Sequence, residues 1–162
     1  MPIPFVASAL WQDPDAGAAQ HGVLISVHWI VDCNVVAQEI ELPVQWSRPV
    51  PVEGRPLRID LGTPIAPRML ETRVFQALAE NGLPDPPASA IWCRYLDATA
   101  VCRVTREDEH DNWQIALDLP VGTGVFYVSM HGEWGIPSDS PLAETSEWPA
   151  FDAGWIFAVR VD

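Results

Sequence analysis

The stretch that decides the fold is VLISVHWIV, residues 23–31. Every second residue of it is Val, Ile or Trp, while Ser26 and His28 fall on the opposite face, and this period of two is typical of a β-strand. Residues 32–34, Asp-Cys-Asn, favour a chain reversal. Residues 36–46 then alternate apolar and polar side chains, which predicts an antiparallel partner strand with one face in water.

The same alternation recurs along the rest of the chain. It predicts a four-stranded antiparallel meander and three further strands, at residues 91–96, 100–105, 113–119 and 125–131 for the meander and 5–11, 57–61 and 155–161 for the others. We therefore expect about eight or nine mostly antiparallel strands in a sandwich- or barrel-like sheet. Residues 132–154 are predicted to form a long irregular loop, of the kind that often carries function.

One segment has helical spacing instead. Apolar side chains recur three and four residues apart at Leu70, Val74, Ala77 and Leu78. Thr63-Pro64 before them is an N-terminal cap signal, and Asn81-Gly82 after them is a stop signal. The pattern predicts one amphipathic helix near residues 66–81, packed on the sheet. The expected fold class is therefore α+β, in a single globular domain spanning residues 1–162.

Charge is the clearest property of the composition. The 162 residues include 22 acidic and 9 basic side chains, for a formal net charge of −13, and every basic residue is Arg. Such a surface repels nucleic acids and anionic membranes and attracts basic proteins, although an acidic surface also serves solubility alone. No apolar run is long enough for a membrane helix, and the first basic residue, Arg48, lies too late for a signal peptide. The sequence thus predicts an untargeted cytoplasmic protein.

The three cysteines, Cys33, Cys93 and Cys102, are too few for a disulfide framework and form no C-x-x-C motif. A two-residue turn in the meander would set Cys93 opposite Cys102, whereas a four-residue loop would set it opposite Val104. Because the cytoplasm is reducing, packed free thiols are favoured over a cross-strand disulfide. A catalytic pair of Cys33 with His28 is a weaker interpretation than a cysteine in a turn.

Two stretches are candidate binding sites. The first is an acidic hairpin tip, Glu107, Asp108, Glu109 and Asp111, with His110 among them. It lacks the spacing of a calcium loop, so we expect no metal there, and it suits a solvated turn or a basic partner. The second stretch, His131, Glu133 and Trp134, combines an imidazole, a carboxylate and an indole, which together suit a ligand pocket.

A third group of residues gathers positive charge. Trp92, Arg94, Arg103 and Arg106 are predicted to share the face opposite Cys93 and Cys102. They suit an anion, but internal pairing with Asp118 or Glu107 is the favoured interpretation.

The sequence contains no phosphate loop, dinucleotide fingerprint, nucleophile elbow or zinc-protease motif. Together with the charge, this favours a non-enzymatic protein-binding module for a basic protein partner, such as an inhibitor or immunity-type factor, without cofactor. One alternative is a small-molecule-binding or hydrolytic domain with its site near residues 131–134. Another is a structural component of a larger assembly, in which an edge strand such as residues 57–61 joins a neighbour's sheet.

Overall fold

The chain folds into β-strands. A computed structural model describes residues 9–12, 19–31, 34–46, 48–54, 56–86, 88–106, 111–119, 121–135 and 150–162. Its strands are β1 (Leu10–Gln12), β2 (Ala19–His21), β3 (Val23–Val31), β4 (Asn34–Glu39), β5 (Val50–Val52), β6 (Leu57–Asp60), β7 (Met69–Phe75), β8 (Ala77–Leu78), β9 (Pro84–Asp85), β10 (Ser89–Trp92), β11 (Arg94–Tyr95), β12 (Cys102–Thr105), β13 (Gln114–Leu117), β14 (Gly124–Gly135) and β15 (Ala150–Val161). Within these ranges there is no helix, and hence none long and apolar enough to cross a membrane.

The predicted helix near residues 66–81 is wrong, and with it the α+β class. Residues 69–75 form strand β7, in which Leu70, Thr72 and Val74 are buried and alternate with more exposed residues. A spacing of four residues, as between Leu70 and Val74, fits one face of a helix and one face of a strand equally well. The buried, β-branched Thr72 between them fits only the strand. Asn81 and Gly82 lie in the turn of the β8–β9 hairpin, where Gly82 has a φ of 81°.

The strands form two larger sheets besides the β8–β9 hairpin. The six-stranded sheet has the order β11-β12-β13-β6-β1-β2. The seven-stranded sheet has the order β10-β7-β14-β15-β3-β4, and β5 pairs in parallel with the end of β15. Neither sheet, as described, closes into a barrel. The predicted strand at residues 57–61 is present as β6, but it lies inside its sheet rather than at an edge.

The predicted meander is wrong in its connections. Only β12 and β13 pair as expected, with Cys102 opposite Leu117. The segment at residues 91–96 is divided between the sheets, because β10 pairs with β7 and β11 runs parallel to β12. Strand β14 pairs with β15 and β7 and continues to Gly135, so both ends of the predicted 132–154 loop belong to strands. The β3–β4 hairpin is confirmed, but its second strand covers residues 34–39 and not the predicted 36–46.

One hydrophobic cluster joins the facing sides of the two sheets. The six-stranded sheet contributes residues such as Ile59 and Ile115, and the seven-stranded sheet contributes residues such as Val128 and Met130, all fully buried. Alternation along each strand places these side chains on one face and the polar ones on the other. Apolar burial of this kind supplies the main stabilisation of a two-sheet fold.

At residues 61–68 the chain crosses from the six-stranded to the seven-stranded sheet, and three aromatic side chains hold this crossing. The indole of Trp113 donates a hydrogen bond to the Pro64 carbonyl at 3.2 Å, and that of Trp134 donates to the Ile65 carbonyl at 3.2 Å. The hydroxyl of Tyr95 donates to the Pro67 carbonyl. Burial raises the pKa of Tyr95 to about 12. Carbonyls that a loop withdraws from water need such donors.

Another crossing, at Cys93, is covalently tied. Cys93 follows β10 in one sheet and forms a disulfide with Cys102 of β12 in the other sheet. The expectation of free thiols is therefore wrong. It rested on the assumed cytoplasmic location rather than on the strand pattern, which did bring the two residues near each other.

Replacing Trp134 with Phe should lower the free energy of unfolding by about 1–3 kcal/mol, because the Ile65 carbonyl loses its donor at a residue only 2 % exposed. Urea unfolding followed by circular dichroism measures this loss. Trp113→Phe removes the equivalent donor at a more accessible site, so the free energy of unfolding should fall by less. Equal losses would contradict a role for burial at this crossing.

The raised pKa of Tyr95 predicts a loss of stability at alkaline pH. Its ordinary value is 10.0, so the unfolded chain releases the phenol proton first. The stabilisation is complete below about pH 10 and is lost as the pH rises towards about 12. Urea unfolding between about pH 9 and 11 should show a steeper decline for the wild type than for Tyr95→Phe. Parallel declines would contradict the assignment.

Alkylation of the denatured protein tests the disulfide. Since two of the three cysteines are bonded, one thiol should react without reductant and three after reduction. Mass spectrometry counts the adducts. The Cys102→Ser variant is the control, in which both remaining thiols should react without reductant. Three adducts on the unreduced wild type would refute the bond.

Candidate functional site

The solvent-facing side of the seven-stranded sheet carries a group of polar side chains. Along β14, Met130 and Trp134 point into the core, whereas Ser129, His131 and Glu133 are partly exposed on the other face. We call this solvent-facing side of β3, β7, β14 and β15 the outer face. The alternation of β14 places the imidazole and the carboxylate side by side, with His131 Nε2 3.9 Å from Glu133 Oε1.

Strand β7 adds an ion pair to the outer face. Glu71 lies opposite His131, and Arg73 lies opposite Ser129. The Arg73 guanidinium donates to the Glu71 carboxylate. Residues directly opposite in an antiparallel pair point to the same side, so the ion pair borders His131.

Strands β15 and β3 add further polar side chains on the other side of β14. Glu133 lies opposite Asp152, which in turn lies opposite His28. His28 Nδ1 is 3.1 Å from Asp152 Oδ1. Two carboxylates directly opposite one another repel, and this costs stability unless a positive group lies nearby.

An open groove of about 400 Å³ lies across the outer face. Its floor includes Ile25, which a register shift between β15 and β3 turns towards the solvent side. Gly154, beside His131, adds no side chain to this surface. A Cβ there would lie 3.3 Å from the Met130 carbonyl oxygen. The side chains around the groove are both apolar and polar: Ile25, Glu71, Arg73, Phe75, Leu83, Pro84, Ser129, His131 and Ile156.

The β8–β9 hairpin forms one wall of the groove. Its turn is held by Trp46, whose indole donates to the Gly82 carbonyl at 3.0 Å. The same indole packs against Tyr127 of β14 at a ring separation of 5.0 Å. The backbone of Val44 also donates to Asn81 at 3.4 Å. The wall is therefore supported from the segment that follows β4.

The predicted site residues do not form one site. His131 and Glu133 lie together on the outer face, but Trp134 points the other way and is only 2 % exposed. Asp111 is exposed and belongs to the connection between β12 and β13 of the other sheet. The residues Glu107, Asp108 and Glu109 lie outside the described ranges.

The predicted arginine face is divided as well. Arg103 forms two hydrogen bonds with Asp118, at 2.5 and 3.2 Å, which confirms the internal pairing and lowers the pKa of Asp118. Arg94 lies beside Arg103, whereas Trp92 lies on the seven-stranded sheet opposite Glu71. Trp92 is 51 % exposed at that edge.

No group of three or more His, Cys, Asp or Glu side chains within the described ranges is arranged to hold a metal ion. Cys33 lies outside those ranges, so the proposed pair with His28 is untested there. The imidazole of His28 contacts Asp152.

Several residues of the outer face escaped the sequence analysis. Glu71 and Arg73 fell within the predicted helix and Asp152 within the predicted loop, so none of them was assigned to a strand face. The alternating pattern of residues 69–75 contained a signal for the first two. Asp152 offered no such signal, because its position depends on the distant pairing of β14 with β15.

The chemistry available on the outer face is recognition of positive and hydrogen-bonding groups. One carboxylate, Glu71, and one imidazole, His131, line a groove with an apolar floor, and the Arg73 guanidinium is already engaged by Glu71. Such a combination binds amphipathic side chains or small polar molecules. No protein family model, no curated protein and no solved structure matches this chain, so its function must be inferred from this geometry.

Proposed function

We propose that this protein is a non-enzymatic binding module that receives a basic segment of a partner protein on its outer face, as an inhibitor or immunity-type factor would. The observation that carries the proposal is the opposed pair Glu133 and Asp152 beside the groove. Neither carboxylate has an Arg or Lys as its described ion-pair partner, since their contacts are with His131 and His28.

The groove suits the side chains of Arg and Lys in particular. These residues combine an apolar stem with a charged head. Ile25 and Phe75 can contact the stem, while Glu71 in the groove and Glu133 beyond His131 can accept hydrogen bonds from the head. A charged head placed there would also relieve the repulsion between Glu133 and Asp152.

The overall charge supports the same kind of partner. A net charge of −13 accelerates encounters with basic proteins and opposes those with nucleic acids and anionic membranes. Among the charged residues of the outer face, three acids, Glu71, Glu133 and Asp152, stand against two cations, Arg73 and Arg160.

A second candidate function is small-molecule binding, with or without hydrolysis, in the same groove. The groove volume of about 400 Å³ lies within the usual range of ligand sites. Arg73, Ser129 and His131 supply convergent polar groups above an apolar floor. This candidate predicts a bound small molecule in native mass spectrometry.

The cytoplasmic location stays a prediction. The Cys93–Cys102 disulfide weighs against it, since structural disulfides persist mainly in oxidising compartments. An inhibitor that acts outside the reducing cytoplasm is compatible with the same outer face.

Replacing Glu133 with Gln and Asp152 with Asn together should weaken the binding of basic partner proteins by roughly tenfold or more, because two charge-assisted acceptors are removed at constant volume. Immobilised protein is used to capture partners from native lysate, and captured proteins are quantified by mass spectrometry. Capture by the wild type should fall steeply between about 0.05 and 0.5 M salt.

A variant with the same change in charge provides the control. Glu53→Gln with Asp111→Asn removes two exposed carboxylates away from the outer face, and it should retain capture. If both double variants lose capture equally, attraction to net charge alone explains the binding and the proposed face is wrong. Capture that resists salt and both variants would also contradict the proposal.

A further inference from the structure

We propose that β4, at one edge of the seven-stranded sheet, pairs antiparallel with β4 of a second copy of this chain. The resulting dimer has one continuous sheet that crosses its two-fold axis. This inference does not depend on the proposed function. It depends on the backbone of the β3–β4 hairpin and on the contrast between β4 and the other edge strands.

Strand β4 is the longest edge strand among the described residues. It has six residues, whereas β2, β5, β10 and β11 have two to four. Natural proteins protect sheet edges with short strands, prolines, bulges or inward charges. Strand β4 contains no proline and no basic residue, and Glu39 at its end is its one charged residue.

The direction of the backbone groups follows from the ladder with β3. The amide of Ile40 donates to the Ile25 carbonyl at 2.6 Å, so Ile40 faces β3. Positions that bond to one neighbour alternate along an antiparallel strand. Gln38 therefore also bonds towards β3, and the N–H and C=O groups of Val35, Ala37 and Glu39 point away from it, where no described strand pairs with them.

Among the described residues, no strand other than its own partner pairs with the far half of the hairpin. Strand β15 pairs with β3 only at Val23–His28, yet the β3–β4 ladder continues to Val31 and Asn34. In the described residues, the segments 29–31 and 34–36 thus pair only with each other. Five of these six residues are Trp, Ile or Val. An isolated two-stranded ribbon of such residues is marginally stable and readily adds another strand.

A second copy fits this edge because the edge is complementary to itself. A two-fold axis at Ala37 sets Ala37 of the two copies opposite each other, and Val35 of one copy opposite Glu39 of the other. The outward backbone groups of all three positions then find partners. Glu39 faces Val35 rather than a second Glu39, so like charges stay apart. An interface of this type closes on itself and forms no fibre.

Sedimentation equilibrium over a range of concentrations tests the proposal. The wild type should approach twice the chain mass of 17.9 kDa. Added salt should strengthen the dimer, because each chain carries a net charge of −13. Ala37→Pro removes an outward N–H, and we expect it to weaken dimerisation by at least about tenfold.

Ala90→Pro is the matched control. Cys93 donates its amide to the Leu70 carbonyl of β7 at 2.9 Å, so by the same alternation Ala90 points its N–H away from β7 at the opposite edge of the sheet. This variant should keep the wild-type dimer. Circular dichroism verifies that both variants fold.

Hydrogen exchange of the wild type gives a readout that needs no variant. The amides of Ala37 and Glu39 should become more protected as the concentration rises. A monomer up to about 200 μM in moderate salt would overturn the proposal. It would also be overturned by a dimer that Ala37→Pro leaves intact, by equal loss of the dimer in Ala90→Pro, or by amide protection at Ala37 that does not depend on concentration.

Discussion

The fold depends on satisfying the backbone where the chain passes from one sheet to the other. Each crossing withdraws peptide groups from both ladders, and a buried carbonyl without a donor costs about 1–3 kcal/mol. At residues 61–68 the donors are the indoles of Trp113 and Trp134 and the hydroxyl of Tyr95. These side chains come from strands or strand ends of both sheets, so the same contacts that satisfy the crossing also hold the two sheets in register.

The crossing at residues 61–68 determines which residues of β7 lie beside β14. It ends at Arg68, whose amide donates to the Glu133 carbonyl at 2.7 Å, and β7 begins at the following residue. This contact sets the register in which Glu71 lies opposite His131. The Glu71–Arg73 ion pair and the carboxylates of Glu133 and Asp152 therefore lie on the same outer face. Their alignment depends on the loop at residues 61–68, which is held on the other side of the sheet.

Sequence patterns predicted local structure better than they predicted pairing. Alternation in residues 23–31 identified a strand and its hairpin partner, because both lie close together along the chain. The spacing of Leu70 and Val74 is shared by helix and strand, so only the burial of Thr72 distinguished them. The pairing of β14 with β15 and β7 joins distant segments, and alternation alone specifies which face a residue occupies without naming the neighbouring strand. That is why His131 and Glu133 were recognised as candidates, whereas Glu71 and Asp152 were not.

The two proposed surfaces belong to one sheet, and their geometry relates them. Ala37 lies opposite His28, whose partner Asp152 is on the outer face, so Ala37 faces the same side. Residues opposite each other in an antiparallel pair point to one side, hence a two-fold axis at Ala37 places both outer faces on the same side of the joined sheet. A partner with two basic segments would then meet two grooves at once, and its binding would gain from effective concentration without any new contact. Repulsion between the two acidic faces opposes the dimer, and a basic partner would relieve that repulsion. Because a bound partner reduces the repulsion that dimerisation creates, partner binding should stabilise the dimer, and by linkage the dimer should bind the partner more tightly by the same factor.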